Sequence, residues 1–354
     1  MPTRGRAALS TRTPSPAPTA LAELTTLRLG GPVGRLVTAT TRGELVDAVR
    51  TADRAGSPVL LVGGGSNLVA SDEGWPGTVV LVRSGGVDRR DSGDRVALEV
   101  QAGAGWDELV DATVHEGLAG LETMAGIPGL VGATPVQNVG AYGTEVADVI
   151  TAVGVLDRRT GAVEQWTPPQ CRFGARTSAF KHTDRYVVLD VSLALSRRAE
   201  GGPLHHAELA RRLGVEPGAT APLARVREAV LELRRGKGMV LDPADHDTWS
   251  VGSFFVNPVV GRDQVPPGCP RWEVDDGVKL SAAWLIENAG FPKGFCTAPG
   301  TVAVSGKHCL ALTNRGGGTT AQLLALAGRI RAGVQERYGV RLRPEPRLAG
   351  VALP

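Results

Sequence analysis

The sequence predicts an α+β fold on three observations. Strand-like and helix-like stretches alternate through the first half, helical periodicity takes over after about residue 200, and a second α+β run occupies about 248–345. In chain order, TRGELVDAVRTADRAG is a helix: Thr41 and Glu44 have capping-box spacing, and Leu45, Val46, Val49 and Ala52 form one apolar face. PVLLVG and TVVLVRS are short β-rich runs, and apolar side chains alternate in RVALEVQAGA. GWDELVDATVHEGLAG is a helix closed by glycine. GIPGLVGATPVQNVGAYG holds too much Gly and Pro for regular structure. ITAVGVLDRRTGAVEQWT is a hairpin turning at Thr160-Gly161, and YVVLDVSLALS is a strand. LHHAELARRLG, APLARVREAVLELRRGKG, SAAWLIENAG and TTAQLLALAGRIRAGVQERYG are the later helices, with a boundary near residue 240.

A chain of 354 residues buries a substantial core, in two or three domains. No apolar run is long enough to cross a bilayer. The first twenty residues lack the apolar block of a secretory signal and read as a disordered tail. They carry Arg4, Arg6 and Arg12 and no acid, which accounts for the whole formal net charge of +3. The remainder is neutral, which argues against a nucleic-acid-binding body. Cys171, Cys269, Cys296 and Cys309 lie far apart without CxxC spacing, so they read as buried thiols. No metal site or disulfide framework is expected, and the cytoplasm is the expected compartment.

Several segments carry polar groups in unusual settings. VLLVGGGSNLVA is a strand and a glycine turn, but Gly63-x-Gly65-x-x-Leu68 lacks a third glycine and no helix follows, so the dinucleotide fingerprint fails. What remains is either a tight turn or a cradle of backbone N–H groups for an anion such as a pyrophosphate. GLVGATPVQNVGAYG sets Thr134, Gln137 and Asn138 among small residues, as a backbone approached by a planar cofactor would require; a surface loop is the alternative. Ser178-x-x-Lys181 matches the spacing of penicillin-binding nucleophiles, but the companion motifs are missing and the match reads as chance. CRFGARTSAFKH is a basic stretch suited to a carboxylate or phosphate, or a solvated face. His246 stands between two aspartates in LDPADHDTW, which reads as a polar loop because adjacent residues cannot all converge on one ion. VGSFFVNP puts Ser253 beside two phenylalanines, and in RLRPEPRLAG prolines hold Glu345 in an expected strand.

Taken together, GGGSNLV, IPGLVGATPVQNVGAYG, CRFGARTSAFKH, GSFFVNP, SAAWLIENAG and RPEPR resemble the UDP-N-acetylenolpyruvoylglucosamine reductase family, in its longer subtype with a substrate-closing loop. The resemblance runs from Thr25 to Glu345, in order and spacing as well as wording. It implies a two-part FAD-binding domain of the vanillyl-alcohol oxidase type, at 21–85 and 86–240 after the tail 1–20. A smaller α+β substrate-binding domain at 241–340 and a C-terminal strand at 341–354 carrying Glu345 follow.

The implied flavin-binding residues are Gly63, Gly64, Gly65, Ser66, Asn67 and Leu68, with Gly132, Ala133, Thr134, Pro135, Gln137, Asn138, Val139 and Gly140. The implied catalytic residues are Arg176, Ser253 and Glu345; Tyr142, Asn257, His308 and Lys237 are the implied substrate contacts. The implied reaction is NADPH-dependent reduction of a UDP-sugar enolpyruvyl ether through FAD; a cytoplasmic monomer with no nucleic-acid partner and no membrane insertion is expected. The anionic neighbour would keep Glu345 protonated, and Ser253 would supply the proton.

Two departures stand out. The family's lid tyrosine is replaced by His206, since the only tyrosines are Tyr142, Tyr186 and Tyr338, and the lid contact therefore becomes titratable. The segment between Lys237 and Ser253 is longer than the family's. A flavin oxidase using oxygen, or a non-catalytic nucleotide-sugar-binding protein, would explain fewer of these segments.

Overall fold

The computed structural model describes residues 18–354. The arginines of the expected tail lie outside the described residues, and residues 18–20 are not tail. The Thr19 carbonyl accepts from Val33 N at 3.0 Å, and Ala20 bridges to Pro32.

The first unit contains β1 (Val33–Ala39), α1 (Arg42–Arg54), β2 (Val59–Val62), β3 (Leu68–Ala70) and β4 (Trp75–Val82). Its parallel sheet has the order β1-β4-β2. Thr41 caps α1 at Glu44 N (3.1 Å), while the Glu44 carboxylate reaches one residue further back, to Thr40 N at 2.7 Å. The four residues expected on its apolar face are its buried ones.

The second unit begins with β5 (Val87–Ser92), β6 (Arg95–Gln101), α2 (Trp106–His115) and β7 (Leu118–Ala119). A short hairpin of β8 (Gly140–Ala141) and β9 (Thr144–Glu145) follows, then β10 (Ile150–Asp157), β11 (Val163–Trp166), α3 (Pro168–Cys171) and β12 (Tyr186–Arg197). Helices α4 (Ala207–Leu213) and α5 (Leu223–Gly236) complete it. Its antiparallel sheet runs β11-β10-β12-β6-β5, and the expected hairpin is there, with Leu156 opposite Val163. One face packs on α2 and α5 through Trp106, Val110, Val226 and Val230. Leu156, Val187 and Leu189 instead pack with Leu45 and Val49 of α1, so the first two units share a core.

Among the strands that carry no sequence signal, two of the longer ones are β1 and β5. β1 is interrupted by Gly34 and Arg35, and β5 (VDRRDS) is exposed at every position, held only by its ladder with β6.

The third unit contains β13 (Val259–Val260), β14 (Arg271–Val274), β15 (Gly277–Leu280), α6 (Ala282–Asn288), β16 (Val302–Val304), β17 (Leu312–Asn314) and α7 (Thr320–Tyr338). Phe254 and Phe255 sit at its centre with Leu285, Leu323 and Ile330, joined by Leu27, Leu29 and Val69 from the first unit. The final strand β18 (Arg347–Ala349) pairs in parallel with β3, so residues 341–354 join two units rather than forming a separate one. Glu345 precedes β18 and is not on it; the strand begins only after Pro346, which has no N–H to offer a ladder. Cys171, Cys269 and Cys309 are buried as expected, whereas Cys296 is exposed.

A side chain of the first unit caps the longest helix of the third. The Asp72 carboxylate accepts from Thr320 N at 2.8 Å and Ala321 N at 2.9 Å, and Thr320 Oγ1 donates to the Ala70 carbonyl at 2.7 Å. Asp72→Ala leaves two helix donors without their acceptor and is expected to lower unfolding free energy by about 1–2 kcal/mol. Urea denaturation measures this, and Asp72→Asn should lose less.

Candidate active site

The three units enclose a cleft of about 1100 Å³. Its floor is made by the two glycine-rich segments. The Ser66 hydroxyl donates to the Pro128 carbonyl at 2.9 Å, and Asn67 Nδ2 donates to Gln137 Oε1 at 2.9 Å. Close approach is what demands glycine here. A Cβ on Gly64 would lie 2.9 Å from the Gly129 Cα, and Gly65 has φ +62° with no room for a Cβ beside the Leu24 carbonyl. Among the described residues, the backbone N–H groups of Gly64, Gly65 and Ser66 donate to no other protein group. The floor is therefore nearly bare main chain with unused donors, which fits the pyrophosphate of FAD.

All of residues 63–68, and the expected residues among 132–140 except Pro135 and Asn138, line this cleft. Asn138 is buried with φ +46°, and its amide is already used. Nδ2 donates to Glu145 Oε2 at 2.5 Å and to the Gly174 carbonyl at 3.2 Å, while Oδ1 accepts from Ala147 N at 3.1 Å. It fastens the floor to the basic loop instead of facing the cavity.

Arg176, Ser253 and Glu345 all line the cleft. Arg176 Nη2 donates to the Gly140 carbonyl at 2.7 Å, and its Nε lies 3.9 Å from Glu345 Oε1. Glu345 N donates to the Phe254 carbonyl at 2.9 Å, and Val256 N donates to the Arg343 carbonyl at 3.1 Å. Two distant motifs are thus laced main chain to main chain, with Ser253 next to the carbonyl that holds Glu345. Phe254 N in turn donates to Leu310 O at 2.7 Å, and both phenylalanine side chains are buried in the third core. They anchor the serine loop from behind. The Ser253 hydroxyl bonds to no protein group among the described residues.

Burial raises the Glu345 carboxyl above its ordinary range, and the nearby Arg176 and Lys181 charges oppose this. The expected cause, an anionic neighbour, is not needed to favour the protonated acid. Of the Ser178-x-x-Lys181 pair, Ser178 Oγ donates to the Val136 carbonyl and Lys181 Nζ to the Arg176 carbonyl, each at 2.7 Å. Neither bond is that of a nucleophile to its base.

Tyr142, His206, Lys237 and His308 also line the cavity, joined by Arg234. The His206 and Tyr142 rings meet edge to face with centroids 5.0 Å apart. Lys237 pairs with Glu208 at 2.5 Å and stands 5.9 Å above the Tyr142 ring. Burial lowers the His206 imidazole below its ordinary 6.5, aided by Lys237 and opposed by Glu208, so this group titrates on the acid side of neutrality. Burial, then Lys237 and Lys293, push His308 down to about 4, against Glu208; it is a neutral hydrogen-bonding group at pH 7.

Asn257 is not brought to the cleft: it is exposed, and its Oδ1 accepts from Ala282 N at 2.9 Å at the start of α6. Arg234 was missed from the sequence. It sits one turn before Lys237 on α5, an i, i+3 pair facing one way, but two cations at a helix C-terminus usually mean only a favourable dipole. Its Nε is buried without a partner.

The His246 loop is pinned by ion pairs, Asp245 to Lys307 and Asp247 to Arg315, and His246 packs on Trp249 with centroids 4.1 Å apart.

A carboxyl raised by burial binds its proton more tightly folded than unfolded. Stability falls as pH rises from the unfolded value of about 4.5 through the folded one. Glu345→Gln is therefore expected to flatten that fall and to be more stable than wild type at pH 7; denaturation at pH 4.5 and 7 tests it.

Comparison with known proteins accords with this architecture. The family model "FAD binding domain" matches residues 33–166, and that of the UDP-N-acetylenolpyruvoylglucosamine reductase C-terminal domain matches residues 242–349. The chain is 50% identical over 350 residues to the UDP-N-acetylenolpyruvoylglucosamine reductase of Thermobifida fusca, covering 94% of this chain and 97% of the relative. The enzyme of the same name from Nocardia farcinica is 52% identical over 345 residues, covering 94% and 89%. The crystal structure of UDP-N-acetylenolpyruvylglucosamine reductase from Thermus caldophilus superposes with a TM-score of 0.65 at 28% identity, covering 93% of this chain and 97% of that one. The chain belongs to the UDP-N-acetylenolpyruvoylglucosamine reductase family, the FAD-binding oxidoreductases of peptidoglycan precursor synthesis.

Proposed function

We propose that this chain reduces UDP-N-acetylglucosamine enolpyruvate to UDP-N-acetylmuramate with NADPH as hydride donor, and that it works in the cytoplasm as a monomer. One observation carries the reading: a half-exposed guanidinium 3.9 Å from a mostly buried carboxyl, on the wall that also carries a free serine hydroxyl.

FAD, when bound, takes a hydride equivalent from a nicotinamide and delivers it to an unsaturated carbon. Residues 63–68 would hold its pyrophosphate on their unused N–H groups, and residues 132–140 would flank the ring system. The remaining work belongs to side chains. Saturating an enol ether next to a carboxylate drives negative charge onto that carboxylate. The Arg176 fork matches a carboxylate in plane and charge and is held in place by the Gly140 carbonyl. Glu345, favoured in its protonated form by burial, donates a hydrogen bond to the same charge where an ionised acid would repel it.

Ser253 Oγ, with no protein partner, holds the proton that the carbon must receive. An alcohol is a weak acid, but a carbanionic centre is a strong base, and general acid catalysis of this kind contributes roughly 10²–10⁴-fold. Arg234 and Lys237 offer cations to the diphosphate, with Lys237 exchanging Glu208 for it. Tyr142 and neutral His308 supply an aromatic face and hydrogen bonds.

Ser253→Ala is expected to leave reduction of the bound FAD by NADPH within about twofold. The return of those electrons to the enolpyruvyl substrate should slow by about 10²-fold or more. Stopped-flow absorbance separates the two half-reactions, and equal impairment of both would reject the serine's role. For His206, wild-type substrate affinity should rise as pH drops below 6.5, when the ring gains a charge opposite the diphosphate. His206→Tyr should bind more tightly at pH 7 and lack that acid limb; titration calorimetry from pH 5.5 to 8 reads both.

A further inference from the structure

The Ser178-x-x-Lys181 stretch is left without a catalytic use by the reaction above, yet it is tied to the site more closely than chance spacing requires. Arg176 has φ +55°, a left-handed conformation that costs a residue with a Cβ about 1–2 kcal/mol. Such a conformation persists only where neighbours over-determine it, and here they do. Gly174 and Thr177 exchange backbone bonds at 3.0 and 3.1 Å, which closes a tight loop around Arg176. Ser178 Oγ fixes the far side of that loop to the Val136 carbonyl at 2.7 Å. Lys181 Nζ then reaches back to the Arg176 carbonyl itself, also at 2.7 Å. The arginine is thus gripped at its main chain by Lys181 and at its guanidinium by Gly140.

Lys181 is half-buried and forms no ion pair among the described residues. The charged groups that act on Glu345 are Arg176 and Lys181, both from this loop. On the glutamate's own segment, Arg347 is engaged with Asp184 at 2.5 Å.

We propose that Lys181 is a positioning residue for the reaction: it clamps the Arg176 main chain in the left-handed turn that aims the guanidinium at Glu345, and stands as the second cation facing that carboxyl. The inference rests on the reading that Arg176 and Glu345 serve the enolpyruvyl group. The clamp accounts for the spacing, since a lysine five residues on can reach back across a four-residue turn. It also accounts for the burial, because a lysine in water would not hold one carbonyl in preference to solvent. The ammonium opposes the effect of burial on Glu345, so removing the charge must make that acid weaker.

The test uses the FAD-loaded enzyme carrying ¹³C-labelled glutamate, with Glu345→Gln to assign the Glu345 carboxyl resonance. In Lys181→Met the titration midpoint of Glu345 should move up by about one pH unit. In Lys181→Arg, which keeps a donor and a charge, it should stay within about 0.3 units. Electron return to the enolpyruvyl substrate should slow about tenfold in Lys181→Met and recover to within about threefold in Lys181→Arg. Should Lys181→Met fail to fold, Lys181→Gln supplies the same charge test on the midpoint.

A midpoint that stays put or falls when the charge is removed overturns the proposal. So does lost substrate affinity without any midpoint shift, which would make Lys181 a direct ligand. Glu345→Gln keeps the two levels apart. Wild-type turnover in that variant would sink the reading of the reaction itself, whereas slow turnover there with an unaltered Lys181→Met would sink only the clamp.

Discussion

The arrangement depends on a few main-chain hydrogen bonds between two stretches nearly ninety residues apart. Glu345 N bonds to the Phe254 carbonyl, Val256 N to the Arg343 carbonyl, and Phe255 bridges to Pro344. Backbone bonds of this kind do not depend on rotamers, so they set the relation of Ser253 to Glu345 to within the stiffness of the peptide unit. The two phenylalanines explain why the stitch holds. Each buries a large apolar ring in the third core, and their rings meet at 67° with centroids 5.1 Å apart. The cleft-facing side of this segment is steadied by packing behind it.

The opposite side of the cleft follows another rule. Where the serine wall is fixed by side chains packed behind it, the floor is formed by removing side chains. Gly64 faces Gly129 because nothing larger fits, and the turn's N–H groups stay unused for the same reason. A negatively charged group meets dipoles there whose orientation is already paid for by folding. Asn138 joins the two designs by tying the floor to Gly174 on the arginine loop, so a displacement of one is felt by the other.

Much of this was legible in the sequence where composition carries geometry. The α1 face, the hairpin at Thr160-Gly161 and the irregularity of the glycine-rich segments follow from local rules that tertiary packing does not override. The same rules fail for β5, whose polar residues are ordered only by the β6 ladder, and for β1, whose alternation is broken by Gly34. They fail also for Glu345, expected on a strand but lying just before one. Side chains divide in the same way. Arg176, Ser253 and Glu345 lie in motifs distinctive enough to single out, and the fold brings all three to the cleft, whereas Arg234 looks like ordinary helix-end charge. Asn138 and Asn257 were legible as polar residues in special places, but whether such an amide faces a ligand or a neighbour's backbone depends on contacts no local window contains. The cause of the Glu345 shift lay out of reach for that reason too, since burial is a property of the assembled wall.

The pairing of β18 with β3 has a bearing on how the molecule is made. Val69 leaves the ribosome some 280 residues ahead of Leu348, its partner in that ladder. Until the later strand emerges, the nascent first unit carries an open β edge, and the glutamate wall does not yet exist. Contacts of such long sequence separation form late. The pocket, with its glutamate wall, is therefore complete only once the last residues of the chain have been made and β18 has docked.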